Sequence, residues 1–271
     1  MHLSQQKDLS LANRLISSLP PKERGLFLEQ SELVELKLHT VVVAAGQTSE
    51  HAYFPIDSFV SVILPMEDSP QIEVGLVGSE GMFNISLVLG VDSTSFTSVV
   101  QGAGRSFRIH RNALKTRLEK GRCLRDVLNR YVDVRESQLA QQAACMNYHT
   151  VEQRLARWLL MARDRAHSNE LFLTQDVLAL MIGVRRESVA RVASEFQHRG
   201  VISYSRGYVM LLDEAELATS ACTCYEADLA VYEQALSSAV NDGYEADDET
   251  DTGIVYGYRA PKKLKPEEKN D

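Results

Sequence analysis

The sequence has little cysteine: four residues in 271, at positions 123, 145, 222 and 224. Four scattered thiols in a chain of this length make no disulfide framework, and their spacing is not a zinc pattern. The nearest pair, Cys222-x-Cys224, would point its thiols about 200° apart on a helix, which suits no shared ligand. The expectation is packed or idle thiols, no bound metal and no cofactor. Long apolar runs are missing too. No stretch reaches the ~18 residues that a membrane span needs. The opening "MHLSQQKDLSLANRLISSL" lacks a basic start followed by an apolar core, so no secretory signal is expected. The expected compartment is the cytoplasm, with no membrane partner. No Ser/His/Asp, metal-ligand or P-loop constellation occurs, so an enzyme is not expected. There is no internal repeat.

Charge is missing in particular places. No Arg or Lys lies between Asp57 and Arg105. Between Thr150 and Leu212 there is no lysine, yet nine arginines stand against six acids, a local excess of three positive charges. From Asn241 to Thr252 six acids occur with no base. The formal net charge of −8 is therefore unevenly spread and does not exclude a nucleic-acid partner.

What is present divides by period. Residues 8–30 read as short helical pieces broken at Pro20-Pro21, with Leu11, Leu15 and Ile16 on one stripe and Leu26 and Phe27 on another. From Leu33 the period changes to two, and short runs such as "FVSVILP", "IEVGLVG" and "SFRIH" alternate with Gly, Pro, Asp and Ser. This predicts a small β-barrel or β-sandwich. After His110 the pattern turns helical, and Cys123 to Met146 runs without Pro or Gly. Leu124, Val127, Leu128, Tyr131 and Val134 form one apolar side at near-heptad spacing, continued by Gln138, Gln141 or Gln142, and Cys145. Pairing with a second copy is one way to bury such a side, so these five are the expected dimer interface.

"TVEQRLARWLLMARDRA" opens on a Thr150/Gln153 capping box and buries Leu155, Trp158, Leu159 and Met161 or Ala162. Thr174 caps a second helix to Met181, and Gly183 supplies the turn. A third helix from Arg185 to His198 buries Val189, Val192, Ala193 and Phe196. Its other side carries Glu187, Ala190, Arg191 and Ser194, with Arg186 at the border. The bland reading of Glu187 and Arg191 is an i, i+4 ion pair worth about 0.2–0.5 kcal/mol. The sharper reading is a recognition helix: small residues admit it to the major groove, arginine suits guanine O6/N7, and a carboxylate accepts from cytosine N4. "VISYSRGYVMLL" follows as a hairpin turning at Ser205-Arg206-Gly207, which completes a winged helix-turn-helix. Arg154, Arg157, Arg163, Arg199 and Arg206 are candidates for phosphate contacts or solvated faces.

"IGVRRESVARVASEFQHRGVI" resembles the recognition region of the Crp/Fnr superfamily of bacterial transcription regulators, where Gly-x-x-Arg-Glu-(Thr/Ser)-Val-x-Arg recurs. "AYFPIDSFVSVI", "EVGLVGSEGMFNISLVLG" and "VEQRLARWLLMARDR" extend the resemblance to about residues 10–235. It implies that Arg186, Glu187 and Arg191 read bases and that Ser188 touches phosphate. Thr174, Gln175, Arg185 and Arg206 are the further expected backbone contacts. Arg185 departs from the family, which often has a capping Ser or Thr there; its guanidinium is free to reach a phosphate instead. The implied fold is α+β: a cyclic-nucleotide-binding-like β-roll (jelly roll) over 10–121, a long dimerisation helix over 122–147 and a winged helix-turn-helix over 148–218. A C-terminal helix and a disordered acidic, then basic, tail follow over 219–271. The implied partners are double-stranded DNA, a second copy of the chain and RNA polymerase. The alternative is a small-molecule-binding or interaction protein of the same fold that has lost DNA regulation. The intact Arg186/Glu187/Arg191 set argues against it.

Members that bind cyclic nucleotides neutralise the phosphate with an arginine near the end of a cassette. Here Ser93-Thr94-Ser95-Phe96 stands at that place, and a buried anion without a cation is costly. The iron–sulfur branch needs an N-terminal cysteine cluster, and the first cysteine is Cys123. A haem would need an axial ligand such as His39, His51 or His110, and lone histidines are more often surface or packed residues. An unknown small molecule, a redox response through Cys145 and control by expression alone stay open.

Overall fold

The structure, a computed structural model, describes residues 9–68 and 71–241. Two short helices, α1 (Arg14–Ser17) and α2 (Pro21–Leu28), precede the strands. Asn13 fixes the first of them: its Oδ1 accepts from the Leu15 and Ile16 amides, while its Nδ2 donates to the Pro55 and Gly81 carbonyls at 2.9 Å. Leu15 and Ile16 of α1 and Phe27 and Leu28 of α2 are buried, whereas Leu11 of the expected stripe faces solvent.

Seven strands follow: β1 (Ser31–Leu36), β2 (Val41–Val43), β3 (His51–Pro55), β4 (Phe59–Leu64), β5 (Ile72–Val77), β6 (Thr97–Gly102) and β7 (Gly104–His110). They form two antiparallel sheets, β1-β7-β3 and β2-β6-β4-β5. Period-two burial closes the roll on itself: Val43, Val60, Val77, Phe83 and Val100 fill the space around Tyr53, and the Tyr53 and Phe83 rings stack at 4.7 Å.

Helix α3 (Arg111–Lys120) leads through Gly121 into α4 (Arg122–Tyr148), 27 residues long. At 1.5 Å per residue that is about 40 Å. Leu124, Val127, Leu128, Tyr131 and Val134 are all buried, but inside the same chain. They pack with Leu114 and Leu118 of α3, Met82 of the roll, and Tyr232 and Leu236 of the C-terminal helix α9 (Cys224–Asn241). The expectation that these five meet a second subunit is therefore corrected. Periodicity marks a face as apolar; it does not say whether the partner is another copy or the chain's own roll and last helix. The side of α4 left open carries Leu139, Ala140, Ala143, Ala144 and Tyr148 near its C-terminal end, with Leu139 38% and Tyr148 85% exposed.

The remaining elements are α5 (Val151–Ala166), β8 (Glu170–Phe172), α6 (Gln175–Ile182), α7 (Arg186–His198), β9 (Ile202–Ser205), β10 (Tyr208–Leu211) and α8 (Glu214–Ser220). The Thr150/Gln153 capping box is formed in both directions, and the alternative left open on α5 resolves to Ala162 as the buried residue. The core of this domain is continuous with the roll, since Phe59, Ile63 and Leu76 join Leu155, Trp158, Leu178 and Phe196 in one cluster. Polar contacts cross the same boundary. Trp158 Nε1 donates to Glu73 Oε1 at 2.8 Å, and Arg165 Nε lies 2.7 Å from Glu80 Oε1; within the roll, Ser61 Oγ donates to Glu73 Oε2. Burial pushes the Glu73 carboxyl up to about 7, against the opposing effect of the Ser61 and Trp158 hydrogen bonds. No helix among the described residues is long and apolar enough to cross a membrane. The expected acidic and basic tail beyond Asn241 lies outside the described residues.

Candidate nucleic-acid interface

Helices α6 and α7 meet at a turn that the local residues dictate. Thr174 Oγ1 accepts from the Val177 amide at 3.2 Å and opens α6. Gly183 ends it at φ 64°, where a side chain is strained, and its amide returns to the Ala179 and Leu180 carbonyls. The α7 helix starts with Arg185 at its N-cap, and that side chain makes no capping bond. Val189, Val192, Ala193 and Phe196 are buried; Arg185, Arg186, Glu187, Arg191 and Ser194 are exposed. Arg186 Nε lies 3.7 Å from Asp176 Oδ1 with both side chains well exposed, a contact of little energy. Among the described residues, no ion pair joins Glu187 to Arg191, so the bland reading of this face is not realised. Arg185 and Arg191 likewise have no side-chain partner among the described residues.

The hairpin beside them is a wing. Strands β9 and β10 pair antiparallel, with Tyr208 opposite Ser205. Arg206 and Gly207 take φ of 51° and 86°, as a two-residue turn of the primed type requires. Arg206 is exposed at the tip. A third strand, β8, pairs with β10 and was not foreseen. It has three residues and buries only Leu171, too little alternation to read from sequence.

The structure also sorts the other arginines. Arg154 Nη1 donates to the Ile182 carbonyl at 3.1 Å. Arg157 is buried against Asp228 and donates to Gln142 Oε1 at 2.7 Å. Arg163 lies 2.9 Å from Asp164 and 2.6 Å from Glu214, and Arg199 pairs with Glu152 at 2.6 Å and with Glu216. Arg157, Arg163 and Arg199 are thus neutralised within the fold, and Arg154 is tied to a backbone carbonyl. Arg206, with Arg185, Arg186 and Arg191, remains directed outward. Of the other expected backbone contacts, Thr174 is exposed, while Gln175 and Ser188 are half-buried.

In the segment resembling the nucleotide cassette, Glu80 is held by Arg165. Tyr131 Oη donates to the Met82 carbonyl at 3.0 Å, and its ring presses on Gly81, where an added Cβ would lie 2.2 Å from Oη. Arg135 reaches β5 from α4, but it lies against Gly75 and donates to Gln138 Oε1 at 2.6 Å. A cavity of about 30 Å³ between β5, α4, α5 and α6 has room for a water, not for a nucleotide. The three histidines behave as surface groups: His51 and His110 pack edge to face at 5.4 Å, His110 bonds Glu50, and His39 lies against Phe172.

The expected divergence of the Cys222 and Cys224 thiols does not occur. Cys222 is not helical but sits in the link before α9, whose first residue is Cys224. The helical angle between the two thiols therefore does not apply, and both turn toward Cys145 and His149 at the end of α4.

A β-roll, a long helix and a winged helix-turn-helix with an exposed cationic recognition helix define a DNA-binding regulator. Residues 153–220 match the model of the Crp-like helix-turn-helix domain. The chain is 23% identical over 216 residues to the CRP-like cAMP-activated global transcriptional regulator of Mycobacterium tuberculosis, covering 76% of this chain and 96% of that protein. Among solved structures it is similar to a Crp/Fnr-family transcriptional regulator of Thermus thermophilus, with TM-score 0.59, 21% identity, and 70% and 98% of the two chains covered. It is also similar to the c-di-GMP responsive global regulator of Xanthomonas campestris, with TM-score 0.60, 18% identity, and 72% and 100% covered. Residues 153–220 thus carry a Crp-like helix-turn-helix domain, and the chain as a whole has the fold of Crp/Fnr-type regulators.

Proposed function

We propose that the chain works in the cytoplasm as a homodimer on a pseudo-palindromic operator, with no catalytic role. Residues 10–121 sense, 122–147 pair the subunits and 148–218 bind DNA. Arg186, Glu187 and Arg191 read base edges, while Thr174, Gln175, Arg185, Ser188 and Arg206 hold the backbone. The observation that carries this reading is selective exposure. Arg157, Arg163 and Arg199 are paired with acids, whereas Arg185 and Arg191, on the outer face of α7, have no side-chain partner among the described residues. A two-fold axis would set the two α7 helices about 34 Å apart, in successive major grooves. The pairing surface in this reading is the open strip of α4 around Leu139, Ala143 and Tyr148. RNA polymerase is the further partner that such a regulator addresses.

The signal in this reading is not a cyclic nucleotide. The two relatives above carry cAMP and c-di-GMP in their names, but residues 58–104 here contain no Arg or Lys. Selection of bound fragments from random DNA with the full chain tests the reading. The expected result is an enriched two-fold-symmetric site; recovery of unrelated sequences in proportion to the input would refute it.

A further inference from the structure

We propose that Cys145, His149, Cys222 and Cys224 form a Cys3His site for one zinc ion, which clasps the link after the winged helix-turn-helix onto the end of α4. The four ligand atoms lie within 4.8 Å of one another. Cys145 Sγ is 3.6 Å from Cys222 Sγ, and Cys224 Sγ is 3.4 Å from His149 Nδ1. A tetrahedron with Zn–S of about 2.3 Å and Zn–N of about 2.0 Å has edges of about 3.5–3.8 Å; these two pairs are close to that length, and drawing all four donors in from within 4.8 Å would complete the tetrahedron.

The fold explains why they converge. Cys145 and His149 are four residues apart at the end of α4, so both face one side. His149 ends the helix in an extended conformation and is half-buried. Cys222 and Cys224 flank the first residue of a turn between α8 and α9, so their side chains are not bound to helical phase. The three thiols are buried, and together they form a small cluster apart from the main cores.

The surroundings fit a metal thiolate. Gln141 Nε2 donates to Cys224 Sγ at 2.8 Å, the outer-shell bond that orients a ligating sulfur. Arg157, packed beside Cys145, stands next to a centre that would carry a net charge of −1 with three thiolates on Zn²⁺, and Asp228 and Gln142 hold that guanidinium in place. Loading releases the thiol protons to solvent. Sulfur-rich tetrahedral coordination selects zinc over magnesium or calcium, and the donors are too close together to surround a polynuclear iron–sulfur cluster.

The test uses the full chain, purified under reducing conditions and analysed for metals by mass spectrometry. About one zinc per chain is expected, falling to near zero in Cys145→Ser and in Cys224→Ser. Cys123→Ser, outside the cluster, should keep it. Because a buried thiol replacement can unfold the chain, the unaltered protein is also exchanged into Co²⁺. The expected spectrum has the strong visible bands of a tetrahedral site and a thiolate-to-cobalt charge-transfer band in the near ultraviolet. A folded, reduced chain that takes up neither ion, iron in place of zinc, or a Cys145–Cys222 disulfide that persists when zinc is offered would overturn the proposal. None of these readouts involves DNA, so their failure leaves the operator reading standing.

Discussion

Glu73→Gln should stabilise the chain in mild alkali and do little in mild acid. The Glu73 carboxyl is buried at the boundary between the roll and α5, and its pKa rises from an ordinary 4.5 to about 7. The folded state therefore binds a proton that the unfolded state has already released. Stability from this group is fully present below about pH 4.5 and is lost as pH rises through about 7. The gap between the two values corresponds to about 3 kcal/mol. Little water reaches the group, so solvent screening removes little of it. Glutamine keeps the geometry: its oxygen accepts from Trp158 Nε1 and its amide donates to Ser61 Oγ, the two groups that Glu73 now meets. Allowing for imperfect replacement, the gain at about pH 8 should be about 1–3 kcal/mol, a rise in melting temperature of about 2–10 °C for a chain of this size. Calorimetry at about pH 8 and at about pH 4.5 is the assay. An equal gain at both pH values, or a loss at the higher one, would show that ionised Glu73 is not the source of the penalty.

On the pairing surface, Leu139→Asp should weaken the dimer in sedimentation while leaving the subunit folded. Tyr131→Asp should instead lower the melting temperature sharply, because it buries a carboxylate among apolar side chains. Titration calorimetry with cyclic AMP or cyclic GMP should show no saturable heat; micromolar binding by either would overturn the reading of residues 58–104. Arg191→Ala should cost about 1–3 kcal/mol per half-site and flatten the preference at one guanine, measured on single-base operator variants. Arg206→Ala should weaken all sequences alike and lower the salt slope by about one per subunit. Glu187→Ala should erase discrimination at one C·G pair, and unchanged preferences would remove it from the reading set.

The helix-turn-helix was the most legible part because its signals are local. A Thr cap, a positive-φ glycine and a 3.6-residue apolar period each act within one turn of chain, and α6 and α7 fall within a residue of where these cues set them. The roll was legible as a class but not as a topology, since the order β2-β6-β4-β5 depends on which strands meet across long loops. Five arginines, at 154, 157, 163, 199 and 206, were not sortable. Arg157 and Arg206 look alike in sequence, yet one is enclosed by Asp228 on α9 and the other is exposed at the wing tip.

The two failures share one physical cause, which is α9. The apolar side of α4 was assigned to a second subunit because no internal partner was visible, and α9, starting about ninety residues later, supplies Tyr232 and Leu236 to cover it. The cysteines were dismissed because Cys222 and Cys224 were placed on one helix, whereas α9 begins only at Cys224. The same contact that covers α4 thus brings the Cys222-x-Cys224 link to Cys145 and His149. Fixing the start of α9 there has a consequence for the dimer. With one side of α4 covered by the roll and α9, the side left for a second copy narrows to the small residues Ala140, Ala143 and Ala144 with Leu139 and Tyr148 at their edges. Small residues permit close approach of two helix axes, and the proposed clasp and the proposed pairing surface would occupy opposite sides of the same last turns of α4. Loosening the first should disturb the second, and with it the spacing of the two α7 helices on DNA.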